Sequence, residues 1–377
     1  MDYLYFDYAA ATPMDPLVLA AMQPYFSDVF YNPSATYLPA QAVHEELDAA
    51  RARVAHWLGA RSSEIVFTAG GTEANNLAIH GVLAAFPDSN VVVSAIEHES
   101  VLAAAHAHDV REVPVDPQGL VDIEALVAPI DDRTVLVSVM YANNEVGTIQ
   151  PLRQISQRLM HIREARRLAG NALPLYFHTD AAQAAAYLDL HASRLGVDLM
   201  TINAGKIYGP KQSGALYIAA HVRCTPQILG GGQERGVRSG TENVAGAVGL
   251  SYALDLVQTR RHEEVERLQQ LQHLLMGLLE DAIPNIIING SRKHRLPNNV
   301  HITLTGKDNE RVLIQLEQQG ILAAAGSACS ASNEEPSHVL RAMGIGDPEA
   351  RASLRFTMGC QTTEAHIHRL VDTLRQL

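Results

Sequence analysis

Between residues 64 and 218 short apolar runs recur, separated by stretches of helical period. The runs are 64–68, 91–95, 112–115, 134–140, 175–179, 199–202 and 214–218. Apolar runs of this length, without polar alternation, read as strands buried on both faces. Ahead of the first run a helix runs from His44, with Leu47, Val54 and Leu58 on one side and Gly59 as its stop; between later runs another carries Leu152, Ile155, Leu159 and Ile162. The pattern predicts an α/β fold on a mainly parallel sheet. A loop at 229–243 follows, then a long amphipathic helix with Leu268, Leu271, Leu275 and Leu278 on one side. Residues 286–377 mix strands (300–305, 321–325, 353–358) with helices, which predicts a smaller α+β domain. Residues 1–40 read as a docked arm. The expected division is a large domain over 15–255 and a small one made of 1–14 and 256–377.

A chain of 377 residues exceeds one ordinary core, consistent with two domains. With 41 acidic against 29 basic residues the net charge is −12, which argues against nucleic acid or an anionic membrane as the main partner. No apolar run is long enough to span a bilayer, and the N-terminus lacks a basic secretory signature. Three cysteines (Cys224, Cys329, Cys360) form no CxxC pair, as in a reducing cytoplasm.

Several polar residues fall just past the ends of predicted strands, where open α/β sheets bind ligands. Strand 64–68 delivers Gly70-Gly71-Thr72 to a helix N-terminus, whose free N–H groups and dipole suit a phosphate. His98 follows the strand at 91–95, Asn143-Asn144-Glu145 the strand at 134–140, and Asp180 the strand at 175–179. Lys206 lies in the loop between 199–202 and 214–218. Each has a bland reading: a turn, a helix cap, a structural histidine or a surface lysine. Sharing one address, they supply a phosphate cup, a flat group for stacking, an acid for a pyridine nitrogen and an amine. Those are the requirements of pyridoxal 5'-phosphate. No G-x-G-x-x-G or G-x-x-x-x-G-K-[ST] competes, and no ligand-spaced cluster points to a metal.

Cys329 sits among small residues in AGSACSAS, ahead of a helix near Pro336 that can lower its thiol pKa. Cys224 and Cys360 have no such setting and read as structural. Arg355 lies inside a strand; unless a carboxylate partner is built in, it is a candidate clamp for a substrate carboxylate.

With the motifs YFDYAAATP, NPS, EIVFTAGGTEANNLAI, EHES, NNEVG, HTDAAQ, GKIYGPKQSGALY, GGGQERGVRSGTEN, GSACSAS and SLRFTMG in order, the chain closely resembles the cysteine desulfurases. The resemblance is to the NifS/IscS-like branch of the class V pyridoxal-phosphate aminotransferase group. It implies the type I pyridoxal-phosphate fold and a homodimer. It makes Lys206 the Schiff-base lysine and base at Cα, Asp180 the partner of the pyridine nitrogen, and His98 the stacking group. Asn144 and Gln183 would bond the ring hydroxyl. Gly71 and Thr72 would hold the phosphate, with Thr241 reaching over from the other subunit. Asn32 and Arg355 would fix the carboxylate of L-cysteine. Cys329 would take the sulfur as a persulfide, leaving L-alanine, and pass it to an iron–sulfur scaffold or another sulfur carrier.

Two features depart from the family pattern. Many relatives have Ser-x-His before the lysine; here Asn203-Ala204-Gly205 stands there, so Asn203 is the cofactor-binding candidate and weaker cofactor affinity is expected. Housekeeping relatives have a longer C-terminal tail for docking the scaffold, so a different acceptor is expected. Two alternatives stay open at this level. One is a selenocysteine lyase or other β-eliminating lyase, which would depend little on Cys329; the other is a catalytically silent homologue.

Overall fold

The computed structural model describes residues 3–326 and 336–377. The arm contributes a short strand, β1 (Leu4–Tyr5). The alternating region follows as β2 (Ile65–Thr68), β3 (Asn90–Ser94), β4 (Asp109–Val113), β5 (Thr134–Ser138), β6 (Tyr176–Asp180), β7 (Leu199–Asn203) and β8 (Gly214–Ile218). These form one seven-stranded sheet in the order β2-β8-β7-β6-β5-β3-β4. β8 runs antiparallel to both neighbours, and the other adjacent pairs are parallel. The expected mainly parallel sheet is present.

Burial explains the composition. β2, β3, β5, β6 and β8 are buried at every position, because helices cover both faces. At one edge, β4 is partly exposed and carries charges that repel further strand pairing. At the other edge side chains occupy the unpaired backbone groups of β2. Arg51 donates to Ile65 O over 2.9 Å, and Phe67 N donates to Glu234 Oε2 over 3.0 Å. Arg51 and Glu234 also pair with each other, at 2.6 and 2.9 Å.

Two helix readings need correction. The helix expected from His44 begins at Leu38, because Pro39 is tolerated in a first turn; Gly59 at φ 59° ends it as expected. The single long helix after the loop is two, Val244–Thr259 and Arg261–Ala282. The first is buried and apolar on nearly all sides, so it lacks the one-sided period that reveals an amphipathic helix.

In the remainder, β9 (Ile287–Ile288), β10 (Asn299–Thr303) and β12 (Ser353–Thr357) form an antiparallel sheet, and β11 (Ile321–Leu322) pairs in parallel with β1. The arm is therefore stitched to the C-terminal part of the chain. It then crosses the C-terminal edge of the central sheet, which brings its backbone to the site.

Candidate active site

Parallel strands all end on one side, so the turns after β2, β3, β5, β6 and β7 converge there. A single cavity at that edge is lined by Gly71, Thr72, His98, Asn144, Asp180, Gln183, Asn203, Lys206 and Arg355, together with Ala9 and Ala10 of the arm. A neighbouring cavity shares Gly71, Thr72, Asn203 and Lys206 and adds Lys211.

Lys206 closes a 3-10 turn directly after β7. Its Nζ donates to Ala9 O at 2.8 Å and Ala10 O at 2.6 Å, so the arm holds the amine within the cavity. Asn203 caps that turn by accepting from Gly205 N at 3.1 Å. Its amide also lies against Gly71: a Cβ added at Gly71 would come within 3.3 Å of Asn203 Nδ2. Only glycine leaves that space open at the start of the helix Gly71–Ala85.

Asp180, at the end of β6, is buried and accepts from Asn75 Nδ2 at 2.7 Å and from Ala182 N at 2.9 Å. No helix follows for it to cap: the carboxylate closes the turns at 182–187 and lines the cavity. His98 also combines a local bond with a place in the cavity. It caps the helix Glu99–His106 through Ser100 N and lines the cavity. Behind these groups, burial pushes Glu97 up to about 8 and His178 down to about 4. His178 is thus a neutral structural ring, bonded to Ser138 and Thr201 at 2.8 and 3.2 Å.

Arg355 has a partner that the sequence concealed. Its Nη2 donates to Asp7 Oδ1 at 2.7 Å and its Nη1 to Asn144 O at 2.9 Å, while its buried Nε has no hydrogen-bond partner among the described residues. The condition for an unpaired clamp is therefore not met as stated: Asp7 of the arm is the built-in counter-ion. Gln183 Nε2 likewise donates to the arm, at Ala9 O over 3.0 Å.

Asn32 and Thr241 do not line the cavity of this chain. Asn32 is exposed and accepts from Ser34 N in a local turn; Thr241 is exposed on the loop before Val244. Cys329 lies outside the described residues. Sequence reasoning missed Asn75 and Ser100, which join Asp180 to His98. Asn75 is one helical turn after Thr72, a spacing that would have exposed it. Cys224 is partly buried with its thiol pushed up to about 12, in keeping with a structural role. No three His, Cys, Asp or Glu side chains are grouped to hold a metal among the described residues.

An amine, a buried carboxylate, an imidazole and an open glycine at a helix N-terminus are the donor set of a pyridoxal-phosphate site, and these residues fit that group. Comparison with known proteins agrees. The aminotransferase class-V family matches residues 4–370. A protein of Dictyoglomus turgidum called cysteine desulfurase IscS is 38% identical, covering 99% of this chain and 94% of its own. A solved NifS-like protein superposes with TM-score 0.89 at 30% identity, covering 99% of this chain and 98% of its own. A structure described as SspA in complex with cysteine gives TM-score 0.80 at 33% identity, covering 94% of this chain and 98% of its own. The chain belongs to the class-V aminotransferase family, with the type I pyridoxal-phosphate fold, and within it to the cysteine desulfurases. Its cofactor is pyridoxal 5'-phosphate.

Proposed function

We propose that this protein removes sulfur from L-cysteine, releases L-alanine and leaves the sulfur as a persulfide on Cys329. The convergence of Lys206, Asp180, His98 and the Gly71-Thr72 turn in one cavity carries this reading. Bound pyridoxal phosphate supplies an electron sink that makes the substrate's Cα proton removable. Asp180 would accept from the cofactor's pyridine nitrogen, His98 would stack on its ring, and Asn144 and Gln183 would bond its hydroxyl. Gly71, Thr72 and Asn203 would hold its phosphate at the helix N-terminus, with Thr241 contributed by a second copy.

Lys206 moves the proton from Cα, its amine oriented beforehand by the two arm carbonyls. Arg355, which lines the cavity while its guanidinium is paired with Asp7, binds the substrate carboxylate, and Asn32, outside the cavity of its own chain, assists from a second copy. The Cys329 thiolate attacks the substrate sulfur, and the substrate's carbon–sulfur bond breaks. Its electron pair stays on the carbon, which takes a proton to become alanine. Atoms and electrons balance without an external reductant.

A homodimer belongs to the same reading. Leu17, Phe26, Phe30, Tyr37 and Leu38 are exposed near the N-terminus, as is Leu229 on the loop that carries Thr241. So do the division into domains at 15–255 and 1–14 with 256–377, a cytoplasmic location, and a sulfur-carrier or iron–sulfur scaffold protein as acceptor. Among the described residues, no helix is long and apolar enough to cross a membrane.

The test is alanine formation from L-cysteine by wild type, Cys329→Ala and Lys206→Ala, with visible absorption followed throughout. The reading expects a yellow wild type that makes alanine, a Cys329→Ala protein that responds spectrally to cysteine but turns over little, and an inert Lys206→Ala. Equal activity in wild type and Cys329→Ala overturns the persulfide and points to a lyase.

A further inference from the structure

Thr12 of the arm is 2% exposed and lines neither cavity of the site, yet each of its polar atoms is bonded to a residue close to Lys206 in sequence. Its hydroxyl accepts from Tyr208 N at 2.7 Å and donates to Gly205 O at 3.2 Å. Its backbone N donates to the same Gly205 oxygen, also at 3.2 Å, and its carbonyl accepts from Lys211 Nζ at 2.5 Å. One hydroxyl therefore bridges the residue before Lys206 and the second residue after it.

The bridged span is not regular structure that would hold itself. Lys206 ends a single 3-10 turn, Ala204–Lys206, closed by Ile207 N donating to Ala204 O at 3.1 Å. Tyr208 then takes φ 62°, a left-handed conformation that a bulky residue keeps only where its surroundings impose it. Asp15 N donates to Tyr208 O at 2.9 Å and Cys360 N donates to the Tyr208 hydroxyl at 3.0 Å, so the bond from Tyr208 N to Thr12 completes its anchoring. The same arm holds the tip of the lysine through Ala9 O and Ala10 O. The amine has to leave those carbonyls to react, whereas the Thr12 hydroxyl binds only backbone and can stay in place.

We propose that Thr12 is a positioning residue for Lys206: its hydroxyl clamps the backbone on both sides of the lysine and so aims the side chain into the cavity. This rests on Lys206 being the residue that joins the cofactor and moves the Cα proton. Without the hydroxyl, Tyr208 N loses its acceptor, while Gly205 O keeps the bond from Thr12 N. The turn is then held at one side of the lysine only, and the amine samples more orientations.

The experiment uses the cofactor-loaded enzyme with Thr12→Val, which keeps the volume and removes the hydroxyl, and Thr12→Ser, which keeps the hydroxyl. Visible circular dichroism per bound cofactor reports how firmly the cofactor is oriented; kcat and KM are read for alanine release from L-cysteine. Thr12→Val should lose about half of the dichroism and about tenfold in kcat, with KM within about threefold of wild type. Thr12→Ser should bring all of these back to within about twofold of wild type. Wild-type dichroism and kcat in Thr12→Val overturn the proposal. So does a Thr12→Ser enzyme as impaired as Thr12→Val, which would make packing of the methyl group the cause. If the valine protein does not fold, Thr12→Ala against Thr12→Ser makes the same comparison, because those two differ only in the hydroxyl; equal values overturn the proposal. Borohydride reduction of wild type followed by mass mapping locates the cofactor's attachment. Attachment anywhere but Lys206 overturns the lysine assignment instead, and is read separately.

Discussion

Asn75 gives one amide proton to Asp180 Oδ2 over 2.7 Å and the other to Ser100 Oγ over 2.9 Å. Ser100 Oγ lies 2.8 Å from His98 Nδ1, so Asp180 and His98, the two residues proposed to meet the cofactor ring, belong to one hydrogen-bonded chain. Asp180 comes from the end of β6, Asn75 from the helix Gly71–Ala85, and His98 and Ser100 from the one start of the helix Glu99–His106. The chain gives His98 and Asp180 a fixed mutual geometry before the cofactor binds.

Replacing Asn75 with Leu keeps the volume and removes both donors. Among the described residues Asp180 then keeps the Ala182 amide as its donor, and its carboxylate is less well placed for a ring nitrogen. Cofactor affinity should fall by about tenfold, the equivalent of one charge-assisted hydrogen bond. Equilibrium titration of the cofactor-free variant by visible absorption checks this. Ser100→Ala touches only the His98 side and should lose less. Wild-type affinity in Asn75→Leu would remove Asn75 from the cofactor site.

Asp7 and Arg355 are a buried pair, the guanidinium 2% and the carboxylate 18% exposed. Removing one partner strands the other, so Asp7→Ala should cost about 3 kcal/mol of folding stability. Asp7→Ala combined with Arg355→Met should recover part of that loss, because no charge is then left unpaired. Urea titration of the three variants forms the cycle. Arg355→Lys keeps charge but not the fork, and should raise KM for L-cysteine more than it lowers kcat. Strictly additive stability losses would show that the two side chains do not act as a pair.

The raised Glu97 gives a pH signature. Its carboxyl group is protonated in the fold up to about pH 8, chiefly because burial disfavours the charge, and ionised above about pH 4.5 when unfolded. The folded state therefore binds the extra proton, and stability declines as pH rises from 4.5 to 8, levelling beyond. His178 and His301, pushed down to about 4 and about 3 by burial, act oppositely: their contribution is lost as pH falls below 6.5. Between pH 6.5 and 8 the Glu97 effect is clear of theirs and amounts to about 2 kcal/mol. Glu97→Gln should flatten that slope in urea midpoints measured across the window. An unchanged slope would mean that Glu97 does not titrate there.

The sheet and its ligand edge were legible because buried parallel strands leave unbroken apolar runs, and the residues after them inherit one address. Gly71, His98, Asp180 and Lys206 could therefore be placed together from spacing alone. Asp7 was hidden because a partner across 348 positions leaves no local pattern. The helix Val244–Thr259 was hidden for the opposite reason: buried on nearly every side, it carries no contrast between faces. Asn32 and Thr241 entered through family resemblance, and in one chain neither reaches the cavity.

Gly214 tests how tightly the phosphate turn is built. It pairs with Thr68 of β2 and Asn203 of β7, and a Cβ there would lie 2.7 Å from the backbone of Gly70. Backbone cannot swing aside as a flexible side chain would, so Gly214→Ala must displace the Gly70-Gly71-Thr72 turn. Stability should fall by about 2 kcal/mol, with a loss of affinity for pyridoxal phosphate but not for pyridoxal, which lacks the phosphate. Gly277 is the control: it lies within the helix Arg261–Ala282 with nothing within 4 Å of an added Cβ. Gly277→Ala should stabilise by up to about 1 kcal/mol through helix propensity, leaving both affinities unchanged. Thermal unfolding and the paired titrations separate the two outcomes. Equal weakening toward both ligands in Gly214→Ala would show that the strain spreads through the sheet to Lys206 and is not confined to the phosphate end.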